Sequence, residues 1–337
     1  MSIQSELRRI IESRESFTQP ESAALMRRIL AGDASEVELA ALLGGMAGRG
    51  ETAAEVAGFA EALRAAATTL PLTDAERDSV VDTCGTGGDG SGTFNISTAA
   101  ALVAAAAGAK VAKHGNRAIT SRCGSADVLE ALGVPTNLGA EAAADALREH
   151  GFCFLLAPAH HPALKALMPV RRAIGVRTVL HVLGPLLNPA GARRQVMGVY
   201  ARRLIPLVGE AMTRLGTTHA MVVHGDSGLD ELALSGPSDV AEVRNGAVTL
   251  RVVAPEQLGF GRAGIEALAG GDAAANAAIL SSIFAGERGP RREIVVLNAA
   301  AVLVVAGVAK DLTEAARIAA EAIDSGAVMQ LVEALRR

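Results

Sequence analysis

Between Val80 and Glu130 the chain reads VVDTCGTGGDGSGTFNISTAAALVAAAAGAKVAKHGNRAITSRCGSADVLE. A short β-branched run, Val80-Val81-Asp82-Thr83, empties into a glycine-rich loop from Gly85 to Gly90. The alanine-rich segment Ser97 to Ala107 follows, a composition that favours helix. A second strand, Lys110 to Ala112, opens into Lys113-His114-Gly115-Asn116-Arg117. Strand, glycine loop, helix, strand and cationic loop in that order point to an α/β fold with a parallel sheet. Glycines let backbone N–H groups close on an anion, and a helix N-terminus adds a favourable dipole. The cationic loop, at the end of the next parallel strand, would stand beside the same crevice. The expectation is a phosphate-rich ligand at the carboxyl ends of that sheet.

Elimination narrows the ligand. Gly85 to Gly90 formally satisfies G-x-G-x-x-G, but the dinucleotide pattern expects an acidic residue about 20 positions on. The second strand carries Lys110 and Lys113 instead. No G-x-x-x-x-G-K-[ST] is present either. Charged residues are 20% of the chain and the net charge is −4, which gives no electrostatic case for nucleic acid. With no Trp, one Tyr and seven Phe, the chain also lacks the stacking platforms of single-strand binders. Cys84, Cys123 and Cys153 are odd in number and unpaired in spacing, so neither a disulfide framework nor a zinc site is implied. The N-terminal MSIQSELRRIIESRESF has no apolar signal core, and no apolar run reaches membrane-spanning length. A soluble, cytoplasmic protein without membrane partners is expected.

The first seventy residues read as helix throughout. Thr18-x-x-Glu21, Ser35-x-x-Glu38 and Thr52-x-x-Glu55 each fit a capping box before a periodic apolar stretch, and Thr73-x-x-Glu76 is a fourth. Beyond Leu72 strands alternate with helices. Strand candidates are 152–156, 195–199, 220–224 and 240–244, with Asn245-Gly246 as a hairpin turn. Helices are expected around 140–149, 204–215, 272–285, 292–307 and 311–324. The fold class is therefore α/β: a small helical domain over 1–72 and a larger domain over 73–337 with a mostly parallel central sheet flanked by helices.

GTGGDGSGTFNIST followed by KHGNRAITSRCGSADVLEALG resembles the anthranilate phosphoribosyltransferase family. PVRRAIGVRTVLHVLGPLLNPA (169–190), VVHGDSGLDELALSGP (222–237) and GGDAAANAAIL (270–280) agree with it, in the family's order and over nearly the whole chain. The resemblance implies transfer of the phosphoribosyl group of phosphoribosyl pyrophosphate to the amine of anthranilate, with Mg2+. It also implies a homodimer built through the helical domain, which forms one wall of the cleft and is joined by part of 165–192, a hinge.

The site residues follow from the same likeness. Gly85, Gly88 and Asp89 form the first donor loop, whose backbone would cradle pyrophosphate. Thr93, Asn95, Ile96, Ser97 and Thr98 would contact phosphate at a helix start, with the Ser97 hydroxyl reaching magnesium. Asn95 or Ser97 also reads simply as an N-cap. Lys113, His114, Gly115, Asn116, Arg117, Ala118, Ile119, Thr120 and Ser121 form the second loop, with Lys113 and Arg117 supplying charge. Ser125 reads as both helix cap and phosphate donor. Gly85, Asn116 and Arg171 would face anthranilate. An arginine suits a carboxylate because its fork makes two parallel charge-assisted bonds. Spacing alone leaves Arg171 and Arg172 equivalent, and only the resemblance selects Arg171. Asp230 and Glu231, after a strand end and a glycine turn, supply hard oxygen ligands for magnesium. No nucleophile or base set is evident, and His160, His161 and His181 read as structural.

Two alternatives remain open at this point. A pyrimidine nucleoside phosphorylase shares the architecture, but it has a Gly-Gly-Thr-type turn where this chain has Gly124-Ser125-Ala126-Asp127. A non-enzymatic nucleic-acid-binding relative predicts a basic surface.

Overall fold

The computed structural model describes residues 2–118 and 122–337. All four capping boxes form. At Thr18, Ser35, Thr52 and Thr73 the hydroxyl accepts from the backbone three residues on, and Glu21, Glu38, Glu55 and Glu76 reach back to the cap. Each box satisfies N–H groups that a helix start leaves open. The helices Gln19–Leu30 and Ala53–Ala65 press together at Gly58, where a Cβ would collide with the Gln19 carbonyl and lie 2.6 Å from Ser22 Cβ. Glu55, wholly buried, also accepts from Phe17 N–H at 3.0 Å and pairs with the Arg49 guanidinium at 2.6 Å.

These helices share their core with a distant stretch of chain. Leu42, Leu43, Met46, Phe59 and Leu63 belong to one buried apolar cluster with Leu167, Val170, Leu180, Leu183 and Leu186. Three passages of chain between the helical part and the sheet are tied to one another. Thr68 N–H donates to His160 O at 2.8 Å, Leu70 N–H donates to Pro189 O at 3.1 Å, and His160 Nδ1 lies 3.0 Å from Thr68 O.

The sheet comprises β1 (Val80–Gly85), β2 (Lys110–Gly115), β3 (Phe152–Leu156), β4 (Arg194–Gly198), β5 (His219–His224), β6 (Ser238–Arg244) and β7 (Ala247–Val253). Their order is β3-β2-β1-β4-β5-β6-β7; the first five are parallel, and β6 and β7 are antiparallel. The chain leaves β1 on one side toward β2 and returns on the other at β4, which opens a crevice at the carboxyl end of β1. Alternate residues explain the apolar strands. Val81, Val111, Val196 and Val223 pack under the helices Ile96–Ala106 and Pro290–Ala306, while Met197, Ala220 and Val222 pack under Leu204–Arg214. Asn245 and Gly246 take φ of 53° and 74° between β6 and β7, the left-handed pair of a type I′ turn.

One boundary corrects the sequence reading. β2 runs to Gly115, three residues past Ala112, so Lys113, His114 and Gly115 belong to the strand and the loop begins at Asn116. Pairing on the β3 side causes this, with Lys113 opposite Phe154 and His114 opposite Leu155. A helix at Ala327–Leu335 was also not foreseen. Among the described residues, no helix is long and apolar enough to cross a membrane.

Candidate active site

Three glycines end neighbouring strands or follow them directly: Gly85 on β1, Gly198 on β4 and Gly225 after β5. The segment carrying Asp230 and Glu231 lies across them. A Cβ on Gly85 would collide with the Asp230 carboxylate, one on Gly198 with the Asp230 carbonyl, and one on Gly225 with the Glu231 carbonyl. The strand ends thus form a seat without side chains. Two bonds stitch this segment to the glycine loop: Gly87 N–H donates to Asp230 Oδ2 at 2.8 Å, and Asp230 N–H donates to Asp89 Oδ2 at 3.4 Å. Gly87 and Gly88 hold φ of 64° and 73°, which only glycine adopts freely.

Ser97, Asp230 and Glu231, expected as the metal ligands, come together here. The Ser97 hydroxyl lies close enough to Glu231 to lower its carboxyl slightly, and its Oγ lies 3.3 Å from Lys113 Nζ. Burial first, and then the neighbouring Asp89 charge, pushes the Asp230 carboxyl well above the usual carboxylate range. Glu231 is raised in the same way by burial and by Asp230, with Lys113 opposing. Two carboxylates that repel each other beside a hydroxyl form a hard-oxygen cluster short of positive charge, which fits a divalent cation.

Lys113 takes a different place from the one expected. Its side chain is 1% exposed, with Nζ donating to Thr83 O at 2.6 Å, so its charge acts on the acid pair from beneath the loop. Arg117 is exposed, and its guanidinium turns toward the helix Ser125–Ala131. There it bonds both oxygens of Glu130 at 2.6 Å and comes within 3.5 Å of Asp127. Asn116 is half-buried and accepts from Arg117 N–H at 2.8 Å. Asp127 accepts from Ala118 N–H at 2.9 Å and Gly124 N–H at 2.8 Å, which closes the loop. Ile119, Thr120 and Ser121 lie outside the described residues. Ser125 does not cap its helix: the cap position is Gly124, where a Cβ would collide with Ala118 N. At Gly115 a Cβ would sit 2.9 Å from the Phe154 ring. His114 is buried, and that burial, followed by its neighbours His161, His160 and Lys113, lowers it to about 3, so it is neutral at physiological pH.

At the start of Ile96–Ala106, Ile96 and Thr98 are 2% and 0% exposed, so their side chains serve the core and only their backbone can face a ligand. Thr93 stands 3.3 Å from Ser91 Oγ. Asn95 occupies the cap position without capping. Instead its Nδ2 donates to Cys123 O at 3.3 Å, and its Oδ1 accepts from Asn276 Nδ2 at 2.8 Å. The simple N-cap reading of Asn95 is thereby corrected.

On the helix Met168–Ile174, Arg171 is half-buried and Arg172 exposed. Burial lowers the Arg171 pKa, and among the described residues its guanidinium has no hydrogen-bond partner. Arg177 was not anticipated. It donates to the Gly88 carbonyl and stacks 3.8 Å over the Tyr200 ring, tying the 168–181 segment to the glycine loop. The sole tyrosine of the chain was a signal available for this contact. Asn276, the one amide in an alanine-rich helix, was another.

Residues 77–329 match the model for the glycosyl transferase family a/b domain, and residues 4–67 match that family's helical bundle domain. An anthranilate phosphoribosyltransferase from Chloroflexus aggregans is 52% identical over 95% of this chain and 94% of its own length. One from Anaeromyxobacter sp. (strain K) is 48% identical over 99% and 97%. The crystal structure of anthranilate phosphoribosyltransferase from Thermus thermophilus superposes with a TM-score of 0.91, at 43% identity and 98% coverage of both chains. The enzyme from Saccharomyces cerevisiae in complex with PRPP and Mg gives 0.88, at 25% identity, covering 98% of this chain and 96% of its own.

Proposed function

This chain belongs to the glycosyl transferase family that contains the anthranilate phosphoribosyltransferases, and we propose that the crevice at the end of β1 carries out their reaction. It transfers the 5-phosphoribosyl group of phosphoribosyl pyrophosphate to the amine of anthranilate and releases pyrophosphate, with Mg2+ as cofactor. The phosphorylase alternative is not favoured, since relatives at 48–52% identity over nearly the whole chain are transferases. One observation supports this reading of the site: the segment of Asp230 and Glu231 lies over a glycine seat at the strand ends, with Ser97 near Glu231.

Ser97, Asp230 and Glu231 are the residues that would hold Mg2+. When bound, the ion supplies charge stabilisation to the departing pyrophosphate. Backbone N–H groups of Gly85, Gly88 and Asp89, and of Asn95, Ser97 and Thr98 at the helix start, bind the phosphates, with the Thr93 hydroxyl beside them; the Ile96 N–H is taken by Phe94 O at 2.8 Å. Gly115 to Ala118 and Ser125 enclose the rest of the donor. Lys113 holds the acid pair from below, and His114 packs neutral behind the loop. The ribose carbon becomes oxocarbenium-like as pyrophosphate leaves. Anthranilate's amine, already neutral at pH 7, attacks it without a side-chain nucleophile. Arg171, half-buried and without a hydrogen-bond partner for its guanidinium among the described residues, takes the anthranilate carboxylate, with Asn116 and the Cβ-free face of Gly85 beside it. Positioning of this kind supplies at best about 7–11 kcal/mol of barrier reduction.

The same reading divides the chain near Leu72, with part of 165–192 joining the helical domain. It also makes the protein a cytoplasmic homodimer through that domain. The three cysteines are buried and form no disulfide among the described residues, which suits a reducing compartment.

The deciding assay follows anthranilate fluorescence with phosphoribosyl pyrophosphate and Mg2+, each omitted in turn, and with EDTA. Fluorescence loss that needs every component is expected. Phosphate-dependent cleavage of thymidine or uridine in its place would refute the reading. Sedimentation of the same preparation tests the dimer.

A further inference from the structure

The helix Pro290–Ala306 is buried along almost its whole length, and within its apolar run from Ile294 to Val305 stands one polar side chain, Asn298, 2% exposed. An asparagine there lowers helix propensity and must have its amide desolvated, and a leucine of similar size would avoid both costs. Its bonds are specific. Nδ2 donates to Ile294 O one turn back at 2.9 Å, which fixes the amide plane. The same amide accepts from Leu232 N–H at 2.9 Å and donates to Leu232 O at 3.0 Å. Leu232 follows Glu231 in a stretch with no strand or helix of its own. Asn298 thus offers this backbone the donor and acceptor that a neighbouring strand would otherwise supply.

Other bonds hold the same stretch from different sides: Asp230 N–H to Asp89 at 3.4 Å, and Ala233 N–H to Ser238 Oγ at 2.9 Å. Neither fixes both polar groups of one residue. We propose that Asn298 is a positioning residue for the metal site. From the helix behind, it locks the backbone at 232 so that the Asp230 and Glu231 carboxylates keep the separation a divalent cation needs. The proposal rests on the assignment of those carboxylates as ligands. Groups that orient metal ligands are commonly worth about 10–100-fold in metal affinity.

The test measures Mn2+ binding by electron paramagnetic resonance in the presence of phosphoribosyl pyrophosphate and without anthranilate, so that no turnover occurs. Asn298→Leu is expected to weaken Mn2+ by about tenfold or more. Val302→Ala, a buried change in the same helix that keeps the Asn298 side chain and its bonds to Leu232, is expected to bind as the native protein does, whatever its thermal stability. Should Asn298→Leu lack native circular dichroism, Asn298→Ser, too short to span both groups of Leu232, takes its place. Mn2+ binding by the Asn298 variant equal to that of Val302→Ala would overturn the proposal. Glu231→Gln separates the two layers. If it binds Mn2+ as the native chain does, the metal assignment fails; if it loses Mn2+ while Asn298→Leu keeps it, only the positioning role fails.

Discussion

Replacing Gly198 by alanine adds one methyl at the point where the acid segment crosses the sheet. That Cβ would overlap the Asp230 carbonyl and lie 3.1 Å from Asp230 Cβ. β4 is paired on both sides, with β1 and β5, so the segment above it must yield. Overpacking of this kind costs about 1–3 kcal/mol. The same displacement breaks the 2.8 Å bond from Gly87 N–H to the Asp230 carboxylate. A charge-assisted bond of this sort contributes about 1.5–3 kcal/mol. The two losses share one movement and do not add in full, so a total near 2–4 kcal/mol is expected. Catalysis should suffer more than stability, because a shift of about 1 Å in a reacting geometry costs roughly 100-fold. The assay is kcat/KM for phosphoribosyl pyrophosphate across a magnesium titration, with Tm from calorimetry. Gly44→Ala is the control. It lies within the helix Glu36–Arg49 with open space where a Cβ would sit, and it should stabilise by about 0.5–1 kcal/mol. Native kcat/KM and native magnesium dependence in Gly198→Ala would refute the reasoning.

Arg171→Lys should raise KM for anthranilate by about tenfold through loss of the two-pronged bond, with KM for the donor little changed. Arg172→Lys should do neither, and steady-state kinetics that reverse the two would reassign the contact. Glu55→Ala leaves the Arg49 guanidinium, 9% exposed, without its partner. Urea unfolding should show a loss of about 3–5 kcal/mol, and a change within error would contradict the anchor role. His114 titrates at about 3 when folded against 6.5 ordinarily, so between these values the unfolded chain binds the extra proton. Stability from this group is complete above pH 6.5 and is lost as pH falls toward 3, and His161, lowered to about 4, acts in the same direction. The urea midpoint should fall through that window, and His114→Gln should flatten the slope; parallel slopes would remove His114 as its source.

Local chemistry explains what could be read from the sequence. The four capping boxes are complete within four residues each, and each formed as read. The strand, glycine loop and helix from Val80 onward likewise depend on neighbours in the chain. What escaped depends on partners far away. Lys113 reads as a loop cation until β3 pairs alongside it and Thr83 O receives its Nζ. Arg117 reads as a phosphate contact until Glu130, thirteen positions on, takes both its nitrogens. The bond from Arg177 to Gly88 spans 89 positions and that from Asn276 to Asn95 spans 181, distances over which spacing carries no signal. Asn95 was read as a cap because that is the local preference of asparagine, and a distant amide outbid it.

The shared core of the early helices with residues 167–187 sets an order on the making of the protein. When the helix Ala53–Ala65 leaves the ribosome, the apolar side chains meant to cover it have not yet been synthesised. At about 5–20 residues per second, the intervening stretch of about 100 residues takes roughly 5–20 s. Through that interval Phe59, Leu63 and their neighbours have only each other, and an exposed apolar surface in a nascent chain invites aggregation or a chaperone. The helical part is therefore no independent unit of synthesis. Its completion waits on the strand β3 and on the return of the chain, so the helical part and the sheet mature together.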